Sequence, residues 1–238
     1  MMKKISIIIP VYNESDSLIQ NIKKIRAQMS GENYEIIIVD GGSSDNTFHI
    51  AQQDKDLLVI PADKGRAKQM NAWAQIASGE ILYFLHADTI PPAMFDSLIR
   101  ESVISGYSFG CFRVTFDRNH RFLHLWWRLS WLKVKRVRFG DQSLFVEKNL
   151  FFSVGWFDNT MSLEEDNEIY YRLSQKDSKR TIIKAYVITS ARKYRQNGVF
   201  RLPIVYASLH ILYLCGASTP LLAKLYRKCI HHQEIIKE

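Results

Sequence analysis

Short apolar runs alternate with helix-like patterns through the first ninety residues of the chain. The runs lie at residues 5–11, 34–39, 57–60 and 81–85. Continuous apolar runs of this length are typical of strands that are buried on both faces of a parallel sheet. The segments between them place apolar residues three or four positions apart, which is the spacing of one helix face. The order β-α-β-α-β-α-β therefore predicts an α/β fold, in which helices flank a mostly parallel, Rossmann-like sheet.

Polar and glycine residues set the expected bounds of the intervening helices. We expect Ser15 or Asp16 to cap the first helix and Gly31 to end it. The third helix should span residues 64–78. Its buried face should hold four residues at helical spacing: Ala67, Met70, Ala74 and Ala77.

The pattern becomes less regular after Pro92. We expect one more helix, then a strand, a tryptophan-rich stretch, a second strand, an amphipathic helix and a last strand. Their expected bounds are, in order, residues 94–104, 107–116, 122–132, 143–146, 164–173 and 181–189. In the tryptophan-rich stretch, at least two of Trp126, Trp127 and Trp131 are expected to pack in a core.

Residues 202–223 form an apolar stretch that carries no charge unless His210 is protonated. The stretch is about long enough to span a bilayer, but small and polar residues interrupt it. We favour one or two helices that lie on the domain or in a membrane interface. The chain is thus expected to divide into a domain at residues 1–195, with halves at 1–91 and 92–195, and a helical appendage at 196–238.

The positive charge of the chain is concentrated at its C-terminal end. Residues 176–238 hold twelve Lys and Arg against three acids, whereas residues 1–175 hold twenty against twenty-one. The basic end suits an anionic membrane surface, phosphates or simple solubility, while a nucleic-acid partner would rest on charge alone and is not expected. Three scattered cysteines and the short apolar stretch before Pro10 favour a cytoplasmic protein without a signal peptide, with contact at the inner membrane face left open.

Polar clusters lie where the predicted strands end. We count four such clusters and a fifth at a helix start: residues 12–14, 40–45, 86–88, 141–142 and 164–168. Parallel strands all end on the same side of a sheet, so acids that follow several of them converge on one rim. This convergence predicts a ligand site at the carboxyl edge of the sheet. Asp88 alone has a simpler interpretation, as the cap of a helix that begins near Pro92.

The rim has no glycine-rich phosphate loop, because the G-x-x-x-x-G-K-[ST] pattern is absent and no G-x-G-x-x-G follows the first strand. An acidic rim repels phosphates unless a divalent cation intervenes. Mg²⁺ and Mn²⁺ prefer oxygen ligands and bridge protein carboxylates to substrate phosphates. We therefore predict a Mn²⁺ or Mg²⁺ site at Asp88. His86 lies on the same side of an extended backbone and is either a second ligand or a hydrogen-bonding rim residue.

Five segments together resemble family 2 glycosyltransferases. They are residues 6–14 (SIIIPVYNE), 38–47 (IVDGGSSDNT), 65–71 (GRAKQMN), 84–88 (FLHAD) and 165–166 (ED). The resemblance covers roughly residues 4–190 and implies an inverting enzyme with the GT-A fold that uses a nucleotide-diphosphate sugar. The GRAKQMN and HADT variants also resemble a small bacterial branch associated with arsenosugar or carotenoid glycoside synthesis.

The resemblance also assigns donor-binding roles to residues of this chain. It implies a nucleoside pocket lined by Pro10, Tyr12 and Glu14, with Glu14 near the ribose. Asp40 would accept a hydrogen bond from the base, which favours uracil. Six further residues are predicted to meet the donor: Lys64, Gly65, Arg66, Ala87, Asp141 and Gln142.

The same resemblance bears on the metal and on the catalytic base. Asp88 matches the last aspartate of the family's Asp-x-Asp metal motif, whereas His86 replaces the first and puts chelation by two carboxylates in doubt. Asp166 matches the catalytic base, and Glu165 is predicted to act beside it. Inversion needs a carboxylate that takes the proton of the acceptor hydroxyl as its oxygen attacks the anomeric carbon. Alternatively, the acids at 164–168 only stabilise the helix dipole.

The expected partners are a nucleotide-diphosphate sugar, with UDP favoured, and an acceptor left open between a lipid and a small molecule. Arg136 and Arg138 are expected on a loop that closes over the donor diphosphate or an acceptor phosphate. A sugar-nucleotide pyrophosphorylase is disfavoured, because such enzymes carry a G-x-G-T-R loop where this chain has residues 12–14. A binding module that kept the fold and lost catalysis rests on His86 alone and predicts UDP binding without transfer.

Overall fold

The structure is a computed structural model that describes residues 2–117 and 142–230. Its strands are β1 (Ile5–Val11), β2 (Tyr34–Asp40), β3 (Leu57–Pro61), β4 (Ile81–Phe84), β5 (Thr89–Ile90), β6 (Phe109–Phe116), β7 (Leu144–Glu147) and β8 (Arg180–Thr189). Its helices are α1 (Leu18–Ala27), α2 (Thr47–Gln52), α3 (Arg66–Ala74), α4 (Phe95–Ile104), α5 (Lys148–Ser153), α6 (Glu165–Lys176), α7 (Arg192–Asn197), α8 (Arg201–Leu214) and α9 (Thr219–Cys229).

The described strands form one sheet in the order β3-β2-β1-β4-β7-β6-β8-β5. The first four strands of this order are mutually parallel, which confirms the alternating pattern of the first ninety residues. Strand β7 then runs antiparallel to β4, with Leu144 opposite Phe84. Because of this reversal, the start of β7 lies at the same edge of the sheet as the end of β4.

Both faces of the parallel half are covered, as the continuous apolar runs predict. In β1, Ile7 and Ile9 are fully buried in one apolar cluster with α1 and α4. Ile8 is fully buried in a second cluster on the other face, with α3 and α6. Full burial of each such side chain stabilises the fold by about 1.5–3 kcal/mol. The sheet is therefore a rigid support for the loops at its carboxyl edge.

Helix ends differ from the predictions because local backbone contacts override residue preferences. Helix α1 begins after Ser17, not after Ser15 or Asp16, because residues 15–17 form a separate turn first, closed by the backbone N–H of Leu18 donating to the carbonyl of Glu14 at 2.9 Å. It ends at Ala27, four residues before Gly31. Helix α3 starts only at Arg66, since Gly65 has a φ of +131°, which no helix residue adopts.

Three short elements, β5, α5 and α7, were not predicted, and one alternative is wrong. Strand β5 has only two residues and exists through its antiparallel pairing with β8. Helix α5 follows β7 directly, where no helix was expected. Helix α4 begins at Phe95 with Met94 as its N-cap, so Asp88 does not cap it. Asp88 is thereby left for another role at the edge of the sheet.

The C-terminal apolar stretch forms two helices, α8 and α9. This agrees with the favoured prediction of one or two helices in place of a single bilayer-spanning helix. They pack with α7 around a separate small cluster that contains Tyr194, Leu202, Leu209, Leu222 and Tyr226. Neither these helices nor any other within residues 2–117 and 142–230 is long and apolar enough to cross a bilayer. The boundary proposed at residue 195 stays a prediction.

Candidate active site

The loops after β1, β2 and β4 meet at the carboxyl edge of the sheet. Tyr12, just after β1, accepts a hydrogen bond from Nζ of Lys64 at 3.5 Å. The same ammonium lies 4.6 Å from the centroid of the Tyr12 ring, which is within cation–π range. Lys64 and Gly65 come from the loop between β3 and α3, while Pro10 lies in β1 itself, opposite Val39. Tyr12 and Lys64, two of the residues predicted to bind the donor, are therefore in contact.

Asp40, at the end of β2, is buried and turns its carboxylate back onto its own loop. Its Oδ2 accepts the backbone N–H groups of Gly42 at 3.0 Å and Ser43 at 2.9 Å. Its Oδ1 accepts the hydroxyl of Ser43. Three of the roughly four lone-pair positions of the carboxylate are thus in use. Asp40 therefore shapes the loop that follows β2.

Glu14 lies between the first loop and the start of α7. Its Oε2 accepts the hydroxyl of Ser17 at 2.8 Å, and its Oε1 lies 3.8 Å from a guanidinium nitrogen of Arg192. Burial raises the pKa of Glu14, and the nearby carboxylate of Asp88 raises it further, while Ser17 and Arg192 oppose the rise. Glu14 is therefore close enough to Asp88 for the two charges to interact.

The turn after β4 presents His86, Ala87 and Asp88. The carbonyl of Ala87 accepts a hydrogen bond from Nδ2 of Asn21 at 3.0 Å, which fixes this turn against α1. Burial lowers the pKa of His86 well below its usual value, and the positive charges of Arg66 and Lys193 add to the effect. The imidazole is therefore neutral at neutral pH.

The first turn of α6 reaches the same edge and brings the predicted base to the predicted metal ligands. Nε2 of His86 lies 3.9 Å from Oδ2 of Asp166, although eighty positions separate the two residues. Glu165 is buried, and its Oε1 pairs with a guanidinium nitrogen of Arg66 at 3.0 Å. Side chains from β4, α3 and α6 therefore converge, as the rim argument requires.

His210 and Glu164 tie the C-terminal helices to this edge. Nδ1 of His210, on α8, lies 2.8 Å from Oε2 of Glu164, the residue before α6. Nδ2 of Asn167 donates to the same oxygen at 2.6 Å. Glu164 adopts a left-handed backbone conformation with a φ of +66°, which costs energy for a residue other than glycine. The hydrogen bonds with His210 and Asn167 hold Glu164 in this conformation. The sequence assigned no role to His210.

Two basic residues to which the sequence assigned no role in the site, Arg192 and Lys193, lie close to it. The charges of Arg192 and Lys193, at the start of α7, both act on Glu14, and that of Lys193 also acts on His86. Their neighbours Ala191 and Tyr194 are buried in the C-terminal cluster, which fixes α7 in place. A local signal for this role is absent, because only the return of β8 to the sheet brings α7 here.

Gln142 and Asp141 fit the predicted picture less directly. Gln142 precedes β7 instead of following a strand, and it reaches the common edge because β7 is antiparallel to β4. Its side chain is buried and donates from Nε2 to the carbonyl of Phe112 at 3.2 Å. Asp141, Arg136, Arg138 and the tryptophans at 126–131 lie outside the described residues.

The described residues hold no group of three His, Cys, Asp or Glu side chains arranged to bind a metal ion by themselves. Asp88 nevertheless supplies carboxylate oxygens, which suit a hard cation, whereas the neutral imidazole of His86 is a softer donor. Mg²⁺ and Mn²⁺ commonly take one or two protein ligands and complete their shell with substrate phosphates and water. The residues present therefore fit a cation that arrives with, or is completed by, a phosphorylated ligand.

Two curated proteins share parts of this sequence. Glycosyltransferase AglE of Haloferax volcanii is 33% identical over 94 residues, which cover 37% of this chain and 31% of AglE. Dolichol-phosphate mannosyltransferase of Pyrococcus furiosus is 32% identical over 109 residues, or 43% of this chain and 31% of that protein. The matched region thus spans about a third of the length of either relative.

Solved glycosyltransferase structures share the fold over nearly the whole chain. The S. aureus TarS 1–349 complex with UDP has a TM-score of 0.65 at 16% identity and covers 94% of this chain and 70% of its own. Mannosyltransferase PcManGT from Pyrobaculum calidifontis, in complex with GDP-Man and Mn²⁺, has a TM-score of 0.65 at 17% identity, with 96% and 70% covered. This likeness confirms the predicted GT-A architecture.

The family assignment rests on the N-terminal two thirds of the chain. The sequence profile described as glycosyl transferase family 2 matches residues 6–160. This range contains β1 to β4, the polar loops that follow them, and the turn with His86 and Asp88. It ends just before α6, which carries Asp166. The chain belongs to glycosyl transferase family 2.

Proposed function

We propose that the protein is an inverting glycosyltransferase that moves a sugar from a nucleoside-diphosphate donor to an acceptor hydroxyl. The observation that carries the proposal is the approach of Asp166 to His86, 3.9 Å apart, at the edge where Asp88 also lies. A carboxylate beside the diphosphate end of a donor is the arrangement that this chemistry requires. Relatives that bind UDP, UDP-GlcNAc or GDP-Man support a nucleotide-sugar donor.

We assign proton removal to Asp166. As the acceptor oxygen forms its bond to the anomeric carbon, its proton passes to the Asp166 carboxylate. The bond between that carbon and the diphosphate oxygen breaks, and its electron pair leaves with the diphosphate. Attack from the face opposite the diphosphate inverts the configuration. Glu165 is committed to Arg66 and buried, so we assign it the orientation of this turn instead of a proton transfer.

We assign donor binding to the loops of the parallel half. Tyr12 offers an aromatic face beside Lys64, and Glu14 lies where a ribose hydroxyl would be met. The carboxylate of Asp40 would accept the N–H of a pyrimidine, so UDP is the favoured nucleotide. Pro10, Gly65, Ala87 and Gln142 would shape the pocket, with Asp141 next to Gln142 in sequence.

We assign the divalent cation to Asp88 and His86, with Mn²⁺ or Mg²⁺ as the ion. Structures of the related fold that contain Mn²⁺ support this choice. When bound, the cation offsets the negative charge that develops on the leaving diphosphate. The basic residues Arg66, Arg192 and Lys193 surround the same place and would act on the same charge. We include membrane contact by the C-terminal helices in the proposal; the acceptor remains a lipid or a small molecule.

Two variants test the assignment of base and cation. Asp166→Asn should lower the rate of sugar transfer by about 10²–10⁴-fold, because the amide cannot take the proton. UDP binding, measured by calorimetry with Mn²⁺ present, should stay nearly unchanged. Asp88→Ala should instead lose the part of UDP affinity that depends on Mn²⁺, as removal of the ion with a chelator should in the wild type.

Distinct results would contradict separate parts of the proposal. Normal transfer by Asp166→Asn would exclude that residue as the base. UDP binding by the wild type without transfer to any acceptor tried would favour a catalytically inactive binding protein, for which the replacement of an aspartate by His86 is the supporting feature. An acceptor screen against both lipid and soluble hydroxyl compounds, with UDP release as the readout, makes that comparison.

A further inference from the structure

The outward side of helix α8 carries a continuous apolar face. Ile204, Ala207, Ile211 and Leu214 recur at spacings of three and four, so they align along one side of the helix. Their large members are well exposed, with 64% of Ile204, 60% of Ile211 and 46% of Leu214 accessible to solvent. We call these four residues the α8 face. Monomeric proteins seldom expose aligned large aliphatic side chains unless the surface binds something.

The inward side of α8 is already committed to the protein. Leu202 and Leu209 are 1% and 5% exposed and belong to the C-terminal cluster. His210 pairs with Glu164, as described above. The helix is therefore held in a fixed orientation, and the α8 face is presented outward.

Exposed basic residues occur on α8 and on α9, the helix packed against it. Arg201 begins α8, and Lys224, Arg227 and Lys228 are exposed on the neighbouring helix α9. From residue 178 to residue 230 the sequence has ten Lys and Arg and no Asp or Glu. The described C-terminal helices thus combine an exposed apolar face with exposed charges of one sign.

We propose that the α8 face docks on an anionic lipid bilayer, with Lys224 and Lys228 on the lipid phosphates. Aliphatic side chains on one helix side and cations beside them are the features that seat a helix in the headgroup region. A second copy of the chain is a less suitable partner, because pairing two α8 faces would bring two positively charged surfaces together. The inference rests on the membrane contact in the proposed function, and it specifies the protein surface that makes the contact and the class of lipid that this surface binds.

The geometry gives this docking a consequence for the active site. The contact between His210 and Glu164 places the start of α6 against the flank of α8, since His210 lies between buried Leu209 and exposed Ile211. A helix with its side chains is about 10 Å across, so docking would hold the first turn of α6 about that far from the headgroups. The base at Asp166 would then work close to the lipid surface.

Co-sedimentation of the full chain with vesicles tests the proposal. The wild type should bind vesicles of phosphatidylcholine mixed with phosphatidylglycerol, and bind pure phosphatidylcholine vesicles far more weakly. The double variant I204S/I211S should bind the mixed vesicles about ten-fold more weakly or worse, because two aliphatic side chains no longer enter the lipid. K224Q/K228Q should lose about thirty-fold on mixed vesicles and little on neutral ones.

Matched variants and a second measurement keep the outcome clear. I76S/I104S changes two exposed isoleucines elsewhere, 67% and 85% accessible, and should bind vesicles as the wild type does. Thermal unfolding and UDP binding should be the same in all variants, and K224Q/K228Q alters only exposed side chains.

Equal binding by I204S/I211S and wild type would overturn the proposal. Absence of vesicle binding by the wild type would also overturn it. A wild-type dimer in light scattering that becomes a monomer in I204S/I211S would likewise overturn it. Loss of UDP binding with vesicle binding intact would count against the transferase proposal alone.

Discussion

Buried amide side chains fix the backbone on both sides of the candidate site. Gln69 donates from Nε2 to the carbonyls of Val11 at 3.0 Å and Val39 at 2.7 Å, and so joins the ends of β1 and β2. Asn71 donates to the carbonyl of Phe157 at 2.7 Å and accepts its N–H at 3.0 Å. The sequence places both amides in a segment that resembles the family, but their backbone partners could not be read from it. Those partners depend on which distant segments meet.

Asn71→Asp is expected to lower the free energy of unfolding by about 1–3 kcal/mol, because a carboxylate faces the Phe157 carbonyl without a proton to donate. Urea denaturation of the two proteins at neutral pH measures the difference. Gln52→Glu makes the same chemical change at an exposed position of α2 and should leave stability nearly unaltered. Equal midpoints for Asn71→Asp and the wild type would show that this amide pair does not stabilise the fold.

The acid stability of the sheet should depend on Glu35. Burial alone would raise its pKa, but hydrogen bonds from Ser6, Ser78 and Lys4 outweigh burial and lower the pKa from 4.5 to about 2. Since the folded pKa lies below the unfolded one, the stabilisation is complete above pH 4.5 and is lost as pH falls toward 2. The gap in unfolding free energy between wild type and Glu35→Gln should therefore shrink over that range. A gap that stays constant would contradict the assignment.

Among the elements, the sequence predicted existence and type better than ends and partners. Strand β1 has the predicted bounds, because an apolar run flanked by polar residues is a local signal. Strand β5 was missed since two residues carry no periodicity and form a strand only by pairing with β8. Gly79 shows a second nonlocal constraint. A Cβ there would lie 2.5 Å from Oγ of Ser6 and 2.7 Å from its nitrogen, so only glycine lets β4 begin this close to β1.

Gly79→Ala should therefore destabilise the fold by about 1–3 kcal/mol, as overpacking typically does. Thermal unfolding followed by circular dichroism gives the size of the effect. Gly31→Ala is the matched control, because its Cβ would have no neighbour closer than 3.7 Å. If Gly79→Ala unfolded at the same temperature as Gly31→Ala, β1 and β4 would be able to move apart with no loss of stability, and the proposed constraint would be wrong.

At the scale of the molecule, the site is assembled from both halves of the sequence. The parallel half supplies Tyr12, Asp88 and Arg66, whereas α6 and α7 supply Asp166 and Arg192 from beyond the tryptophan-rich segment. The sequence showed only that residues 176–238 are basic, yet the charge of Arg192 acts on Glu14 and that of Lys193 acts on both Glu14 and His86. The net charge of a segment cannot show this, since it does not reveal that β8 brings the following helix, α7, back to the site.

R192Q/K193Q should raise the dissociation constant for UDP about ten-fold or more, because charge-assisted hydrogen bonds to the diphosphate would be lost. Calorimetry with Mn²⁺ present provides the measurement, and the effect should decrease for uridine, which has no phosphate. Lys184→Gln removes one positive charge at an exposed position of β8 and should leave affinity unchanged. If uridine and UDP were affected equally, the two residues would have a structural role instead.

The sequence by itself determined the order of strands and helices in the first ninety residues, the loops that carry the polar side chains, and the family. These are local properties: a run of buried side chains or a short motif is written in consecutive residues. Only the tertiary structure decided that β7 runs against β4, that Asp166 lies beside His86, and that His210 secures Glu164. Such contacts depend on how segments far apart in the chain pack, and the free energy of packing belongs to the whole fold.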